Sequence, residues 1–457
     1  MNYHSMKMKL DRLWAGSCKE DEVNHYLSDG YLPGNRQGSS TKEGTKRVAY
    51  DTFDPFGSIN IKWDVVSWTP DGYVAVVRIE NSQMYRNIMS PGWTLGWTWA
   101  KKEVIWSMVG AQATDQGDCS KFKGDIPHCC KKNPTIIDLL PGVPNKQRFS
   151  DCCKGGLLKS WGQDPSAAVS SFQLSVGLSG TSNKTIKLPE KFVLLGPGQG
   201  YTCSPATIVS PSVFFSSDGH RRTQAMMTWT ITCSYSSFLV SKNPPCCVSM
   251  SSFYNPSITP CPSCACGCQD HNNCVANDLK ISSSDEVTSR RREMVQCTDH
   301  MCPIRVHWHV KTNYKEYWKV KIAITNFSYL KSYPHWTLVV QHPNLHNLTK
   351  AYSFVYKPLS QYRLSNDTGM FYGMKYYNDL LMEAGPNGHV ETELILKKDK
   401  KAFTLEQGWA FPMKVYFNGG ECMMPPPDSY PHLPNSAYSN TISTLTSATL
   451  LLFLALL

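Results

Sequence analysis

Alternation is the strongest signal in this chain. Between Tyr317 and Asn326, the residues Trp318, Val320, Ile322 and Ile324 share one face while Lys319 and Lys321 take the other. That period of two is the mark of a half-buried β-strand. The pattern has an upstream counterpart. Ile61 to Val65 matches Val306 to Val310, Gly72 to Asn81 matches the stretch ending at Asn326, and Gly92 to Leu95 matches His335 to Leu338. The offset is 245 residues for the first two blocks (Trp63 to Trp308, Tyr73 to Trp318) and 243 for the third (Trp93 to Trp336). Three blocks in register predict two related domains. Short alternating runs between Gly-, Pro- and Ser-rich turns predict an all-β fold of two related β-sandwiches. No sustained helical period occurs, apart from a short piece near Met370 to Ala384.

The repeat sorts the aromatic residues. Those present in both copies, Trp63 with Trp308, Tyr73 with Trp318 and Trp93 with Trp336, read as core. The first copy adds Trp68, Tyr85, Trp97, Trp99 and Trp106; at the offsets of the first four the second copy has Asn313, Leu330, Val340 and His342. Trp97 and Trp99 are two apart and share a strand face at about 6.6 Å spacing. A row of indoles on a sandwich face can stack on the apolar faces of sugar rings. The excess in one copy favours such a face over extra core packing, so these five residues are the candidate carbohydrate-binding set. The sandwiches are therefore expected to be of the immunoglobulin-like or carbohydrate-binding-module type.

Composition sets the compartment. The chain of 457 residues holds 18 cysteines, several in adjacent pairs (Cys129-Cys130, Cys152-Cys153, Cys246-Cys247) and a dense run from Cys261 to Cys274. Neighbouring cysteines point apart on an extended chain, so each pair is expected to staple two different partners. An oxidising, secretory environment follows. Without Cys18, which lies in the leader, 17 remain and one is left over. Sequons at Asn183, Asn326, Asn347 and Asn366 agree as N-glycosylation candidates. The net charge of +10 comes in short patches such as Arg290 to Arg292 and Lys397 to Lys401. These read as a solvated face or as attraction to an acidic surface, and nucleic acid is not an expected partner.

The C-terminus carries a second signal. Ala448 to Leu457 is apolar apart from Thr449, but shorter than the about 20 residues a spanning helix needs. Upstream stand the small residues Asn435-Ser436-Ala437, then a polar spacer, which together form a signal for a glycosylphosphatidylinositol (GPI) anchor on Asn435. The run Pro425 to Pro434 is expected to be an extended stalk. Residues 1–47 contain no apolar run of signal-peptide length, and are expected to be a disordered leader or an incorrect start. The expected division is 1–47 leader, 48–240 first sandwich, 241–297 cysteine-rich connector, 298–424 second sandwich and 425–457 stalk and anchor signal.

Catalytic and metal motifs are sparse. Cys261-Pro262-Ser263-Cys264-Ala265-Cys266-Gly267-Cys268 has spacings that could hold zinc, but disulfides are favoured in an oxidising compartment. His307 and His309 flank Trp308 on one strand face without an evident third ligand. No GxSxG, HExxH or phosphate loop is found. Neither a catalytic set, a metal nor a cofactor is expected.

Long stretches resemble the plant COBRA family: Ile59 to Val65, Trp68 to Val77, Pro91-Gly92-Trp93 and Glu103 to Gln112, with Cys246-Cys247-Val248-Ser249 similar to that family's CCVS hallmark. The resemblance runs from about Ala49 to the C-terminus. It implies a GPI-anchored glycoprotein on the outer face of the plasma membrane, or released into the wall. It also implies an N-terminal cellulose-binding module acting in microfibril deposition, wall assembly and oriented cell expansion. The partners so implied are cellulose or a related glucan and the outer membrane leaflet. The rival readings are a pectin- or protein-binding adhesion protein and a glucan-modifying enzyme.

Overall fold

The computed structural model describes residues 51, 53–196, 198, 200–215, 222–236, 245–253, 255–259, 303–328, 331–359, 367–385, 387–398 and 410–431. The cysteine run from Cys261, the Arg290 patch, Asn366, Asn435 and the apolar tail lie outside these residues. The N-terminal domain contains β1 (Ser58–Trp68), β2 (Tyr73–Asn81), β3 (Thr94–Thr98), β4 (Val104–Val109), β5 (Ala111–Ala113), β6 (Thr135–Asp138) and β7 (Val169–Gly177). It continues with β8 (Glu190–Leu195), β9 (Tyr201–Cys203), β10 (Thr207–Val209), β11 (Val213–Phe215), β12 (Arg222–Gln224) and β13 (Met227–Tyr235). One sheet runs β10-β13-β1-β2-β7-β4, with β9 also paired to β13; the second runs β5-β6-β3-β8. Strands β11 and β12 form a separate hairpin arm.

The C-terminal domain comprises β14 (Cys246–Ser252), β15 (Asn255–Thr259), β16 (Ile304–Asn313), β17 (Tyr317–Asn326), β18 (Leu338–Gln341) and β19 (Leu348–Ala351). It ends with β20 (Phe354–Pro358), β21 (Thr368–Gly373), β22 (His389–Lys397), β23 (Lys414–Phe417) and β24 (Gly420–Glu421). Its sheets are β15-β14-β16-β17-β22-β19 and β20-β21-β18-β23-β24. Each domain thus buries the apolar face of a large sheet against a smaller one.

The repeat is real in three dimensions. The hairpin β1-β2 and the hairpin β16-β17 each break register at the same place, Val65/Ser67 in one and Val310/Thr312 in the other. Strands β7 and β22 then extend them, both antiparallel. The copies differ on the other side of the first strand: β13 lies antiparallel to β1, whereas β14 lies parallel to β16.

Several expectations are corrected. The CCVS stretch is not connector: Cys246 to Ser252 form β14, an interior strand between β15 and β16 in the large C-terminal sheet, and Cys246 is bonded to Cys422. The proline-rich segment does not leave the domain at residue 425. Pro425 and Pro431 are buried, and Tyr430 lies edge-on to Phe411 at 5.7 Å. The short helical piece expected near Met370 to Ala384 is there only in part: strand β21 runs to Gly373, and two short 3-10 helices, Lys375–Asn378 and Leu380–Met382, follow it. Among the adjacent cysteines, Cys152 is bonded to Cys153 itself. The stapling argument assumed an extended chain, but here Asp151 and Cys153 have φ of 59° and 72°, so the backbone turns. Cys130 pairs with Cys119 while its neighbour Cys129 stays a buried thiol.

The two domains touch directly. Residues 84 and 85, which follow β2, pack Met84 and Tyr85 onto Val339, Leu359, Met370 and Tyr416. Because neighbours alternate on a strand, Leu338 and Val340 fill the C-terminal core while Val339 faces this junction. Hydrogen bonds cross it from Thr337 Oγ1 to the Tyr85 carbonyl (2.8 Å) and from Asn87 Nδ2 to the His335 carbonyl (2.8 Å).

Candidate functional site

The outer face of the large N-terminal sheet is polar, because every second residue of its strands points away from the core. Register sets the rows. Thr230, Lys62, Arg78 and Ser171 lie side by side across β13, β1, β2 and β7. Thr232, Asn60 and Glu80 form the next row, and Thr228, Asp64, Val76 and Gln173 the row on the other side. The β11-β12 arm overhangs this face. Its base is tied down by a bond from Ser212 N to Thr228 Oγ1 (3.1 Å), and it carries the exposed Phe214 and Phe215. Between arm and sheet runs a groove of about 470 Å³, lined by Asn60, Lys62, Asp64, Arg78, Glu80 and Phe214 among others.

The groove's polar groups are partly free to bind. Asp64 is buried and accepts a hydrogen bond from the Thr228 hydroxyl, so it braces the floor. Arg78 and Glu80 are 3.8 Å apart and solvent-exposed, a weak pairing that a ligand can replace. Asn60 meets the hydroxyls of Ser58, Ser82 and Thr232. Hydroxyls, an amide and mobile charges below an aromatic wall suit a ligand with an apolar face and a hydroxylated rim.

The aromatic set read from the sequence divides. Trp97 and Trp99 do share a face, but it is the inner one; both are 2% exposed. With Trp63 and Trp229 they form a four-indole core, Trp63 edge-on to Trp97 at 5.2 Å and stacked on Trp229 at 5.5 Å. Tyr85 is fully buried at the domain junction, its hydroxyl donating to Asp51. Burial, followed by the Asp51 charge, raises its pKa well above the usual phenol value, so it remains a donor. These three residues cannot stack on a glucan. Trp68 and Trp106 are half-buried. Trp106 donates from Nε1 to Asp71 (3.1 Å), leans edge-on to Phe122 at 5.4 Å and crosses Gly177, where any Cβ would stand 2.0 Å from that nitrogen. Trp161, which the sequence reading passed over, is the exposed indole among the described residues, at 41%. The available signal was a tryptophan alone in the polar, glycine-containing loop Lys159 to Pro165, outside any alternating run.

The sequons divide as well. Asn183 is exposed. Asn326 is fully buried, and its Nδ2 donates to the carbonyls of Lys331, Leu381 and Glu383 at 2.9, 3.2 and 2.9 Å. A nitrogen so engaged has no room for a glycan, and the glycosylation reading fails there. The backbone of Asn347 closes a 3-10 turn, Leu345–Asn347.

On the equivalent face of the second domain, β14 places Ser249 and Ser251 beside His307 and His309. Ser249 Oγ lies 2.6 Å from His307 Nδ1, and Ser251 Oγ lies 2.9 Å from His307 Nε2 and 2.7 Å from His309 Nδ1. Burial pushes His307 down to about 4, with Arg305 adding repulsion. Both histidines therefore take hydroxyl partners. Among the described residues no group of three or more His, Cys, Asp or Glu is placed to hold a metal.

Comparison with known proteins is decisive on kinship. Residues 73–236 match the COBRA N-terminal domain and residues 245–431 match the COBRA family C-terminal domain. The chain is 65% identical over 412 residues to COBRA-like protein 4 of Arabidopsis thaliana, covering 90% of this chain and 96% of that protein. The chain belongs to the COBRA family. It is also 59% identical over 413 residues to Protein COBRA of Arabidopsis thaliana, covering 88% and 91%. To COBRA-like protein 5 of Oryza sativa subsp. japonica it is 59% identical over 425 residues, covering 85% and 91%. The C-terminal family domain starts at 245, one residue before β14, so the COBRA C-terminal domain includes the CCVS strand.

Proposed function

We propose that this COBRA-family chain is a non-enzymatic, extracellular glucan-binding protein of the plant wall. In this reading it binds cellulose and acts in microfibril deposition, wall assembly and oriented cell expansion. A GPI anchor on Asn435 would hold it at the outer face of the plasma membrane. The observation that carries the reading is the polar groove beneath the Phe214 arm. A β-glucan presents hydroxyls at its ring edges and apolar ring faces between them, which matches a floor of Asn60, Lys62, Arg78 and Glu80 below an aromatic wall.

The same groove supports a binder over a hydrolase. Its carboxylates, Asp64 and Glu80, sit in rows four residues apart, about 13 Å along the strands. A glycosidase pair stands about 5–9.5 Å apart. Asp64 is also buried and bonded to Thr228, away from a reacting position.

The test is co-sedimentation of the full chain with crystalline cellulose. Wild type is compared with Phe214→Ala, Trp106→Ala and the pair Lys62→Ala with Arg78→Ala. Binding is expected for wild type, with about tenfold loss in the Phe214→Ala and paired variants. Folded wild type that stays in the supernatant sinks the reading, and release of reducing ends from glucan would make the protein an enzyme.

A further inference from the structure

We propose that the cleft at the domain junction, beside Trp161, is a separate subsite for one uronic acid residue of an acidic polysaccharide. The cleft has a volume of about 290 Å³, the size for one ring rather than a length of chain. Each domain supplies half of it: Met84, Trp161 and Gly162 from the first, Lys357, Leu359 and Met370 from the second. It exists only while the domains are docked.

Its parts are held in place. Trp161 N donates to the Gln83 carbonyl at 2.8 Å. A Cβ on Gly162 would stand 2.1 Å from the Met84 carbonyl oxygen, so the loop lies flush against Met84 and only glycine fits. Trp161 is thereby fixed with its ring at the surface, although tryptophan is usually well buried. Such an indole, with Met84 and Met370 beside it, offers an apolar platform to one face of a sugar ring.

The charge decides the kind of sugar. Lys357 reaches across the junction to the Gly162 carbonyl, Nζ to O 2.6 Å, and stands 5.8 Å from the Tyr372 ring. Among the described residues its ammonium has no carboxylate partner. The acid in this neighbourhood, Asp164, is taken by Lys159 (3.2 Å) and by the backbone and hydroxyl of Ser166. A half-buried ammonium with spare donors, next to an open indole, matches a pyranose ring bearing a carboxylate. A neutral glucan would leave that charge unanswered. The cleft is distinct from the groove under the Phe214 arm and shares no lining residue with it.

The experiment is titration of the full chain with tri-galacturonate, cellotriose and ferulate, read by calorimetry and indole fluorescence. Saturable binding of tri-galacturonate is expected, at least tenfold tighter than cellotriose and weakened by added salt. Trp161→Ala and Lys357→Met should each weaken it at least tenfold, while Lys357→Arg, which keeps the charge, should retain it. Lys62→Ala with Arg78→Ala should leave it unchanged, which separates this site from the glucan groove whatever the cellulose result. Melting curves check that the variants stay folded. The proposal is overturned if tri-galacturonate does not bind, if Lys357→Met binds as wild type does, or if ferulate alone occupies the cleft.

Discussion

Asn81 and Asn326, 245 residues apart, make the same hydrogen bonds. Asn81 Nδ2 donates to the carbonyl of Arg86 and Asn326 Nδ2 to that of Lys331, in each case five residues on. Each Oδ1 accepts from the backbone N–H two residues on, Gln83 in one copy and Ser328 in the other. The asparagine closes the corner where the second strand leaves the sheet, and both are fully buried. A buried polar side chain is tolerated because all of its donors and acceptors are used.

Two outcomes follow for the sequons. Glycopeptide mapping of secreted protein should find a glycan at Asn183 and none at Asn326, despite the Phe327-Ser328 that completes the triplet. Replacing Asn326 with alanine should destabilise the C-terminal domain by about 1–3 kcal/mol, since the carbonyls of Lys331, Leu381 and Glu383 each lose a hydrogen bond, Leu381 keeping the one from Tyr333 N. A glycan on Asn326 in folded protein would contradict this corner.

Trp97→Ala and Trp99→Ala should act on stability. Each removes a large buried ring from the four-indole core, a loss of about 3–5 kcal/mol by analogy with other core truncations. Trp106→Ala, at a half-buried site, should cost less. Urea denaturation separates the three. A Trp97→Ala protein that unfolds at the wild-type midpoint would show that this indole is not core.

The reason these residues misled is physical. Spacing by two says that Trp97 and Trp99 share a face, and the inward signal was Leu95 on that same face with Thr94, Gly96 and Thr98 on the other, which the excess of aromatics in one copy outweighed. The repeat, the bulged hairpins and the shared core positions Trp63, Trp308, Tyr73 and Trp318 were legible because alternation encodes them directly. Asn326 was read as a sequon because the triplet is local, whereas its burial depends on Lys331, Leu381 and Glu383 meeting in space. The groove was hidden for the same reason: Lys62, Arg78 and Thr230 come from three strands, and only their register makes a row. The aromatic wall at Phe214 gave no periodic signal in its three-residue strand.

Acidification should weaken the C-terminal domain. Burial lowers His307 to about 4 and His342, stacked on Trp308 at 5.4 Å, to about 3, from an ordinary value of 6.5. The unfolded chain therefore binds protons at these sites before the folded chain does. Their contribution to stability is complete above about pH 6.5 and is lost as pH falls toward 4 and 3. Denaturant midpoints should fall between pH 7 and pH 4.5, and His307→Asn should flatten that slope. A midpoint independent of pH over this range would mean that neither histidine is held neutral by the fold.

The last prediction concerns the junction itself. Arg86 is buried between the domains. It pairs with Asp51 at 2.8 Å, lies 3.5 Å from the centre of the Tyr235 ring and donates from Nη1 to the Gly419 carbonyl at 2.5 Å. Gly419 has a φ of 81°, and a Cβ there would meet the guanidinium at 2.5 Å, so glycine is what lets the arginine reach the second domain. Arg86→Met removes the cation but leaves the half-buried Asp51 carboxylate bonded to the Tyr85 hydroxyl and the Phe53 N–H, so the loss should fall below the about 3–5 kcal/mol of a fully buried broken pair. The double variant Arg86→Met with Asp51→Asn should recover part of that loss. Limited proteolysis between the domains, with denaturation followed in parallel, should show the single variant opening first. If it resists cleavage like wild type, the apolar contacts of Tyr85, Val339, Met370 and Tyr416 hold the junction without the ion pair.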